Sequence, residues 1–132
     1  MTTTTNLGIT HIDSAQNQGG VTANLALDKL DKRAGELTIV MADADITLTE
    51  AQWIYGTLRF TGTNGAARNI NVPDDRKMSW TIVNDTVGGF GLVIRNNVGS
   101  PTDTGVTVAN ARTAIVRGDG DVVKRVTADV AH

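Results

Sequence analysis

The sequence contains no cysteine and only two histidines in 132 residues. The absence of cysteine excludes thiolate metal sites, thiol catalysis and disulfide bonds, so stability depends on core packing or on oligomerisation. The histidines are His11, near the amino terminus, and His132, the last residue. A Ser-His-Asp triad or a histidine-based metal site therefore lacks its central group, and we expect both imidazoles to be solvated.

The sequence is also poor in aromatic residues, and neither positive nor negative charges are in marked excess. Two Trp, one Tyr and two Phe are too few for a platform on which sugars or bases stack. Twelve Lys and Arg residues face 14 Asp and Glu without long blocks of either sign, so we expect no nucleic-acid partner and no membrane partner. No window approaches the roughly 18 apolar residues of a membrane span. We expect a soluble protein made without a signal peptide.

Paired carboxylates occur at positions 43 and 45, 74 and 75, and 119 and 121. A calcium loop requires several oxygens at defined spacing, and the "DGD" fragment offers only two side chains. A glycosidase requires two carboxylates that face each other across a cleft, which a sequence pattern does not place. Because Asp and Gly favour tight turns, we predict that these pairs form turns. We expect no metal, no cofactor and no catalytic residue.

An N-terminal arm and one short helix are predicted within residues 1–35. Residues 1–20 are rich in Thr, Asn, Gln and Gly, with too little apolar content to order as an isolated segment. Residues 21–34 place apolar side chains at helical spacing, and Gly35 ends the helix. The apolar stripe comprises Ala23, Leu27, Leu30 and Ala34. Because so short a helix is marginal in water, the stripe packs either on its own body or on copies of itself.

Residues 36–132 change to a period of two, with short apolar runs separated by turn formers such as "GTNGAA", "PDDR" and "GDGD". Eight or nine strands at this spacing predict a mainly β body, an antiparallel β-sandwich of jelly-roll-like type. We find no internal repeat. The core is predicted to contain Phe60, Trp80, Phe90, Leu92 and Ile94.

The stretch "TIVNDTVGGFGLVIR", residues 81–95, places a glycine-rich segment between two apolar runs. A phosphate-binding loop needs a strand, a GxxxxGK[ST] or GxGxxG pattern and then a helix. Here no lysine follows, and the next element has the pattern of a strand. Gly88 and Gly89 supply the positive φ that a tight reversal needs. We therefore predict a hairpin with its turn at residues 85–89.

Two parts of the chain resemble structural proteins of tailed bacteriophages and prophages. The segment "NLGITHIDSAQNQGGVTANLALDKLD", residues 6–31, resembles an opening with Gly-x-x-x-(Ile/Leu), a Gln-rich linker, a Val-Thr-x-Asn step and a Leu-Asp-bearing helix. It departs at "QNQGG", where relatives carry charged residues. The body resembles a second phage pattern, and the matching residues are Thr61, Gly62, Val72, Pro73, Lys77, Asn84, Thr86, Gly88, Gly105, Val106, Asp119 and Gly120.

This resemblance implies a virion structural protein and not an enzyme, since neither pattern is catalytic. Both patterns occur in capsid-decorating proteins, head fibres and tail fibres. We favour a capsid decoration or cement protein, because the chain stops directly after the β-body and a receptor-binding fibre normally has a further domain. A short tail or fibre component is the alternative, and a carbohydrate-binding module is a weaker one. The implied location is the virion, with the capsid surface favoured, after synthesis in the host cytoplasm.

The arm and the helix are the parts expected to contact partners, which are the major capsid protein or other virion proteins. The 4-3-4 spacing of the stripe is closer to a coiled-coil seam than to the broad face of a helix laid on a sheet. We therefore expect a homotrimer to which the helix contributes. The candidate partner-binding residues are Leu7, Ile9, His11, Ile12, Leu27 and Leu30.

Overall fold

The computed structural model describes residues 3–11, 18–96 and 104–131, and its architecture is mainly β. A helix precedes a body of two sheets, which contains a second, very short helix. The helices are α1 (Gln18–Lys32) and α2 (Glu50–Trp53). The strands are β1 (Glu36–Met41), β2 (Ile46–Thr47), β3 (Thr57–Gly62), β4 (Arg68–Val72), β5 (Lys77–Asn84), β6 (Leu92–Asn96), β7 (Val106–Val108), β8 (Arg112–Asp119), β9 (Val123–Arg125) and β10 (Val130–Ala131).

Both helices are explained by local sequence, although only α1 was predicted. In α1 the apolar spacing sets the period, and the chain leaves the helix where the Gly35 N–H bonds to the carbonyl oxygen of Lys32 at 3.0 Å. In α2 the side chain of Gln52 accepts the Thr49 N–H at 3.0 Å and fixes the first turn. α2 has only four residues, about one turn, which is too short for an apolar period to predict a helix.

The first six strands stack in parallel. One sheet runs β1-β3-β5 and the other β2-β4-β6, with every neighbouring pair parallel. Each pass of the chain places one strand in each sheet and then returns beside the previous pass. The body is therefore a short β-solenoid of three coils. The prediction of a mainly β, two-sheet body is confirmed, whereas its mostly antiparallel, jelly-roll-like connectivity is wrong.

The coils form an internal repeat that the sequence conceals. Thr57 pairs with Thr81 and Ile46 with Ile70, 24 positions apart, whereas β1 and β3 are offset by 21 positions. Side chains at one stacked position nevertheless differ, as in Ile39, Phe60 and Asn84. The repeat is hidden because a coil position requires only a side chain that faces the core, not a fixed residue type.

The carboxyl-terminal third reverses direction and closes one end of the stack. β7 pairs antiparallel with β6, and β8 pairs antiparallel with β5 along its whole length. The short strands β9 and β10 both pair with β8. The opposite end of each sheet is formed by the first coil, where β1 and β2 have one neighbour each in the described part of the chain.

The core lies between the two sheets and contains residues from both. The predicted core residues Phe60, Trp80, Leu92 and Ile94 are fully buried, which confirms the inward face of their strands. The Trp80 Nε1–H donates to the carbonyl oxygen of Trp53 at 2.8 Å, so this buried polar group is satisfied. The prediction for Phe90 is wrong: it is 37% exposed, because it lies in the corner before β6 and not in the strand.

The glycine-rich stretch forms a corner between the two sheets, and the predicted hairpin is wrong. β5 belongs to one sheet and β6 to the other, so the flanking strands do not pair. Gly88 and Gly89 do have positive φ, at 123° and 84°, as expected. A Cβ on Gly88 would overlap the backbone carbonyl oxygen of Asn64 in the corner of the preceding coil. Glycine therefore allows successive corners to stack closely.

Candidate docking site at the amino-terminal end

The arm folds back on itself and lies on α1. Thr4 and Ile9 are joined by a backbone hydrogen bond of 2.9 Å, and the Ile9 N–H also donates to Thr4 Oγ1 at 2.9 Å. Gly8 permits the reversal with φ of 67°. An isolated arm was not expected to order itself, and its order here depends on the contacts with the helix.

Asp31 of α1 is the main anchor of the arm. Its carboxylate accepts the backbone N–H groups of Asn6 at 2.9 Å and Leu7 at 2.6 Å, and the Asn6 Nδ2–H at 2.9 Å. The Asp31 side chain is buried, with 3% of the residue exposed. Desolvation raises the pKa of this carboxyl, but the hydrogen bonds from Thr4, Asn6 and Leu7 together hold the pKa below its ordinary value. Asp31 is therefore an ionised structural anchor.

His11 makes a second contact between the arm and α1. Its Nε2 lies 2.7 Å from Asp28 Oδ1, and the imidazole is largely covered. The expectation that His11 is solvated is therefore wrong, because α1 places Asp28 beside it. His132 lies outside the described residues.

Polar contacts tie α1 to the β-body. The Arg33 guanidinium, just beyond the helix, donates to the carbonyl oxygens of Tyr55 at 3.0 Å and Ser79 at 2.6 Å. Lys29 Nζ lies 3.0 Å from Glu50 Oε1. No residue of α1 belongs to the apolar cluster of the body, within the part of the chain described. The helix is thus held beside the body without being part of its core.

The apolar stripe of α1 lacks a partner within the body. Leu27 lies one helical turn from Asp31, which holds the arm, and Leu30 lies one turn from Arg33, which reaches the body, so the stripe runs between these two contacts. Leu30 is 65% exposed. Ala34 is also exposed, whereas Ala23 and Leu27 are half-buried. None of the four belongs to the apolar cluster of the body, and Ala34 lies beyond the end of α1.

The predicted partner-binding residues lie together on or beside α1, so far as they are described. Leu7 is 56% exposed although its backbone N–H is anchored by Asp31. Ile9 is half-buried in the folded arm. Ile12 lies outside the described residues. We define the docking surface as Leu7, Ile9, Leu27 and Leu30, with His11 serving instead as an arm anchor.

A polar cleft of about 450 Å³ lies between the arm, α1 and the start of β1. Each of its carboxylates already has a structural contact: Asp28 with His11, Asp31 with the arm, and Glu36 with Arg59 at 3.0 Å. The cleft therefore offers no carboxylate free of such a contact. Its lining residues are Thr3, Thr4, Thr5, Asn6, His11, Asp28, Asp31, Lys32, Glu36 and Tyr55.

The paired carboxylates fix turns and corners, as predicted. Asp43 accepts the Gly65 N–H at 2.7 Å and pairs with Arg68. Asp119 accepts the Val122 N–H at 2.8 Å. Positions 74 and 75 form the turn before β5. Within the described ranges, no three His, Cys, Asp or Glu side chains are grouped as metal ligands would be.

Asn84 and Thr86 build the polar side of the glycine-rich corner. The Asn84 amide is fully buried and donates to the carbonyl oxygens of Phe90 at 3.2 Å and Val108 at 3.0 Å. Its Oδ1 accepts the Thr86 hydroxyl at 2.6 Å. Sequence analysis missed this role, and it also missed Asp31 and Arg33. A polar residue at the end of an apolar run, such as Asn84, was the available signal.

No helix among the described residues is both long and apolar enough to cross a membrane. Comparison of the chain with family models, with curated proteins and with solved structures finds no match. Function is therefore inferred from the residues and surfaces of the chain itself, and the docking surface beside the arm is the feature that most needs a partner.

Proposed function

We propose that the protein is a structural protein of a tailed-bacteriophage virion, specifically a decoration or cement protein that binds the outer capsid lattice and stabilises the head. The observation that carries the proposal is the docking surface, where Leu7 and Leu30 are both exposed and the Leu7 N–H bonds to Asp31, the residue after Leu30. Apolar side chains of this kind gain free energy when a partner covers them. The same segment, residues 6–31, resembles the opening of phage structural proteins.

The proposed partners are the major capsid protein or other virion proteins, together with two further copies of this chain. The stripe of α1 is available for contact between copies, because its Leu30 is 65% exposed and is not part of the apolar cluster of the body. Three linked docking surfaces bind a lattice more tightly than one, since the second and third contacts form within one assembly.

A short tail or fibre component is the second candidate. The parallel stacking of β1, β3 and β5 favours it, because coils of this type extend in one direction and form elongated parts. The same docking surface would then hold the protein on a tail partner instead of the capsid.

Binding to purified particles tests the proposal with a matched pair of variants. Leu7→Asp places a charge on the docking surface without removing the backbone N–H that Asp31 accepts, and we expect at least about tenfold weaker binding to undecorated capsids. Val130→Asp is the control, since Val130 is similarly exposed but lies on β10. Equal binding of the two variants would refute the assignment of the docking surface. Wild-type binding to tails but not to capsids supports the second candidate, and binding to neither contradicts a virion role.

A further inference from the structure

β1 is an unusually unprotected edge strand. The other strands that end a sheet in the described structure, β2, β7, β9 and β10, have two or three residues, whereas β1 has six. Proteins usually blunt an edge by shortness, lysine, proline or a bulge. The β1 sequence "ELTIVM" contains no lysine or proline, and its register with β3 is continuous. An edge of this kind is expected to be paired in the native assembly.

On that edge the backbone groups of β1 have no hydrogen-bond partner among the described residues. The Thr57 N–H of β3 donates to the carbonyl oxygen of Gly35 at 3.2 Å. Because the bonding direction alternates along a strand, Gly35, Leu37, Ile39 and Met41 bond towards β3. The N–H and C=O groups of Glu36, Thr38 and Val40 therefore point away from the sheet. The side chain of Val40 is also unprotected, with 74% of the residue exposed.

We propose that β1 pairs antiparallel with β1 of a second copy of the chain. With Ile39 opposite Ile39 of the second copy, Leu37 lies opposite Met41 on the core side. On the outer side Thr38 lies opposite Val40, and these are two of the residues whose backbone groups are free. Each position thus meets a compatible side chain, and the apolar cores of the two bodies become continuous.

Neither the charges of β1 nor the described part of the arm obstructs this pairing. Glu36 is the one charged residue of β1, and in the proposed register the two copies of Glu36 lie at opposite ends of the ribbon, so like charges do not meet. Among the described residues of the arm, 3–11, none pairs with β1, and the Asn6 side chain packs on Gly35, before β1 begins. The contact is two-fold and isologous. It uses a different surface from the α1 stripe and does not depend on the proposed virion function.

The mass of the protein in solution tests the pairing, with Leu30→Asp as the background so that the helix stripe does not contribute. We expect this variant to be a dimer that dissociates on dilution. Adding Thr38→Pro removes an N–H that points away from β3, and adding Val40→Lys places a charge on the open edge. Each is expected to weaken dimerisation at least tenfold. Val130→Lys, on β10, is the control and should remain dimeric.

Hydrogen exchange gives a second readout that does not depend on whether Thr38→Pro folds. The amides of Thr38 and Val40 should exchange slowly in the dimer and faster on dilution, while near-UV circular dichroism from the buried Trp80 stays constant. A Leu30→Asp variant that is monomeric at every concentration overturns the proposal, as does a dimer that neither edge substitution weakens. Protection of these amides only in the presence of phage capsids also overturns it, because the occupant would then be a capsid strand.

Discussion

Gly88 shows how one residue constrains the stacking of coils. Its φ of 123° is rarely adopted by other residues, and a Cβ would also overlap the Asn64 carbonyl oxygen. Gly89 has φ of 84° but faces open space. A substitution at Gly89 therefore has only the free-energy cost of the backbone conformation. A substitution at Gly88 has that cost and the cost of a steric overlap.

We expect Gly88→Ala to destabilise the protein by about 1–3 kcal/mol or more, since a strained φ is combined with a steric overlap. Gly89→Ala carries only the conformational cost and should lose about 1 kcal/mol. Urea unfolding followed by circular dichroism measures both. Equal losses for the two variants contradict the stacked corner at Gly88.

Asp119 provides a pH prediction at the residue scale. The Val122 N–H, the Lys124 ammonium and the Asp121 N–H stabilise its carboxylate and lower its pKa to about 2. Because the pKa is depressed in the folded state, the turn is fully stabilised above the ordinary value of 3.8. This contribution is lost as the pH falls from there through about 2.

The Val122 amide resonance should report this loss, since its N–H donates directly to Asp119. We expect the resonance to titrate with a midpoint near the pKa of about 2 for Asp119. Asp119→Asn should abolish the titration. A midpoint close to 4, the usual range of an aspartate, is the result that contradicts the proposed hydrogen bonding.

At the scale of elements, α1 carries two exposed leucines that differ in position. Leu30 belongs to the stripe and is 65% exposed, whereas Leu25 is 60% exposed and does not share the 3-4 spacing of the stripe. Substitutions of Leu25 and Leu30 can therefore be compared directly, because the two side chains are almost equally exposed and differ only in the face of the helix on which they lie.

We expect wild-type protein to sediment as a trimer or as a pair of trimers. Leu30→Asp should remove the three-fold contact, since it places a charge in the seam, and Leu25→Asp should leave it intact. Analytical ultracentrifugation distinguishes these masses. A wild-type protein with no three-fold species, or a trimer that survives Leu30→Asp, eliminates the stripe as the trimer interface.

For the whole molecule, the separation of α1 from the core predicts stepwise unfolding. Both sheets share one apolar cluster, so the body should unfold in a single transition. The helix and arm are attached by polar contacts such as Arg33 to Tyr55 and should open first.

In the Leu30→Asp variant, which lacks helix association, the helical signal at 222 nm should fall at lower urea concentration than the near-UV signal of Trp80. Coincident transitions contradict this order and indicate that α1 is part of the cooperative core. The same experiment on Leu25→Asp controls for the added charge.

The sequence alone determined the features that depend on local geometry. Alternation of apolar residues located most strands and placed Leu92 and Ile94 inside, because a strand turns successive side chains to opposite faces. Spacing of three and four located α1, and the paired glycines indicated positive φ. For the candidate site, the sequence selected Leu7 and Leu30 as candidate partner-binding residues, and both are exposed.

Only the tertiary structure decided how these elements meet. A period of two is the same in parallel and antiparallel strands, so the sequence did not distinguish a solenoid corner at Gly88 from a hairpin turn. Phe90 followed the alternation but lies beyond the strand end, where the period no longer controls burial. Asp31 is an anchor because folding brings it to Asn6 and Leu7, more than 20 residues away along the chain. Such contacts depend on three-dimensional proximity, which neither composition nor local periodicity encodes.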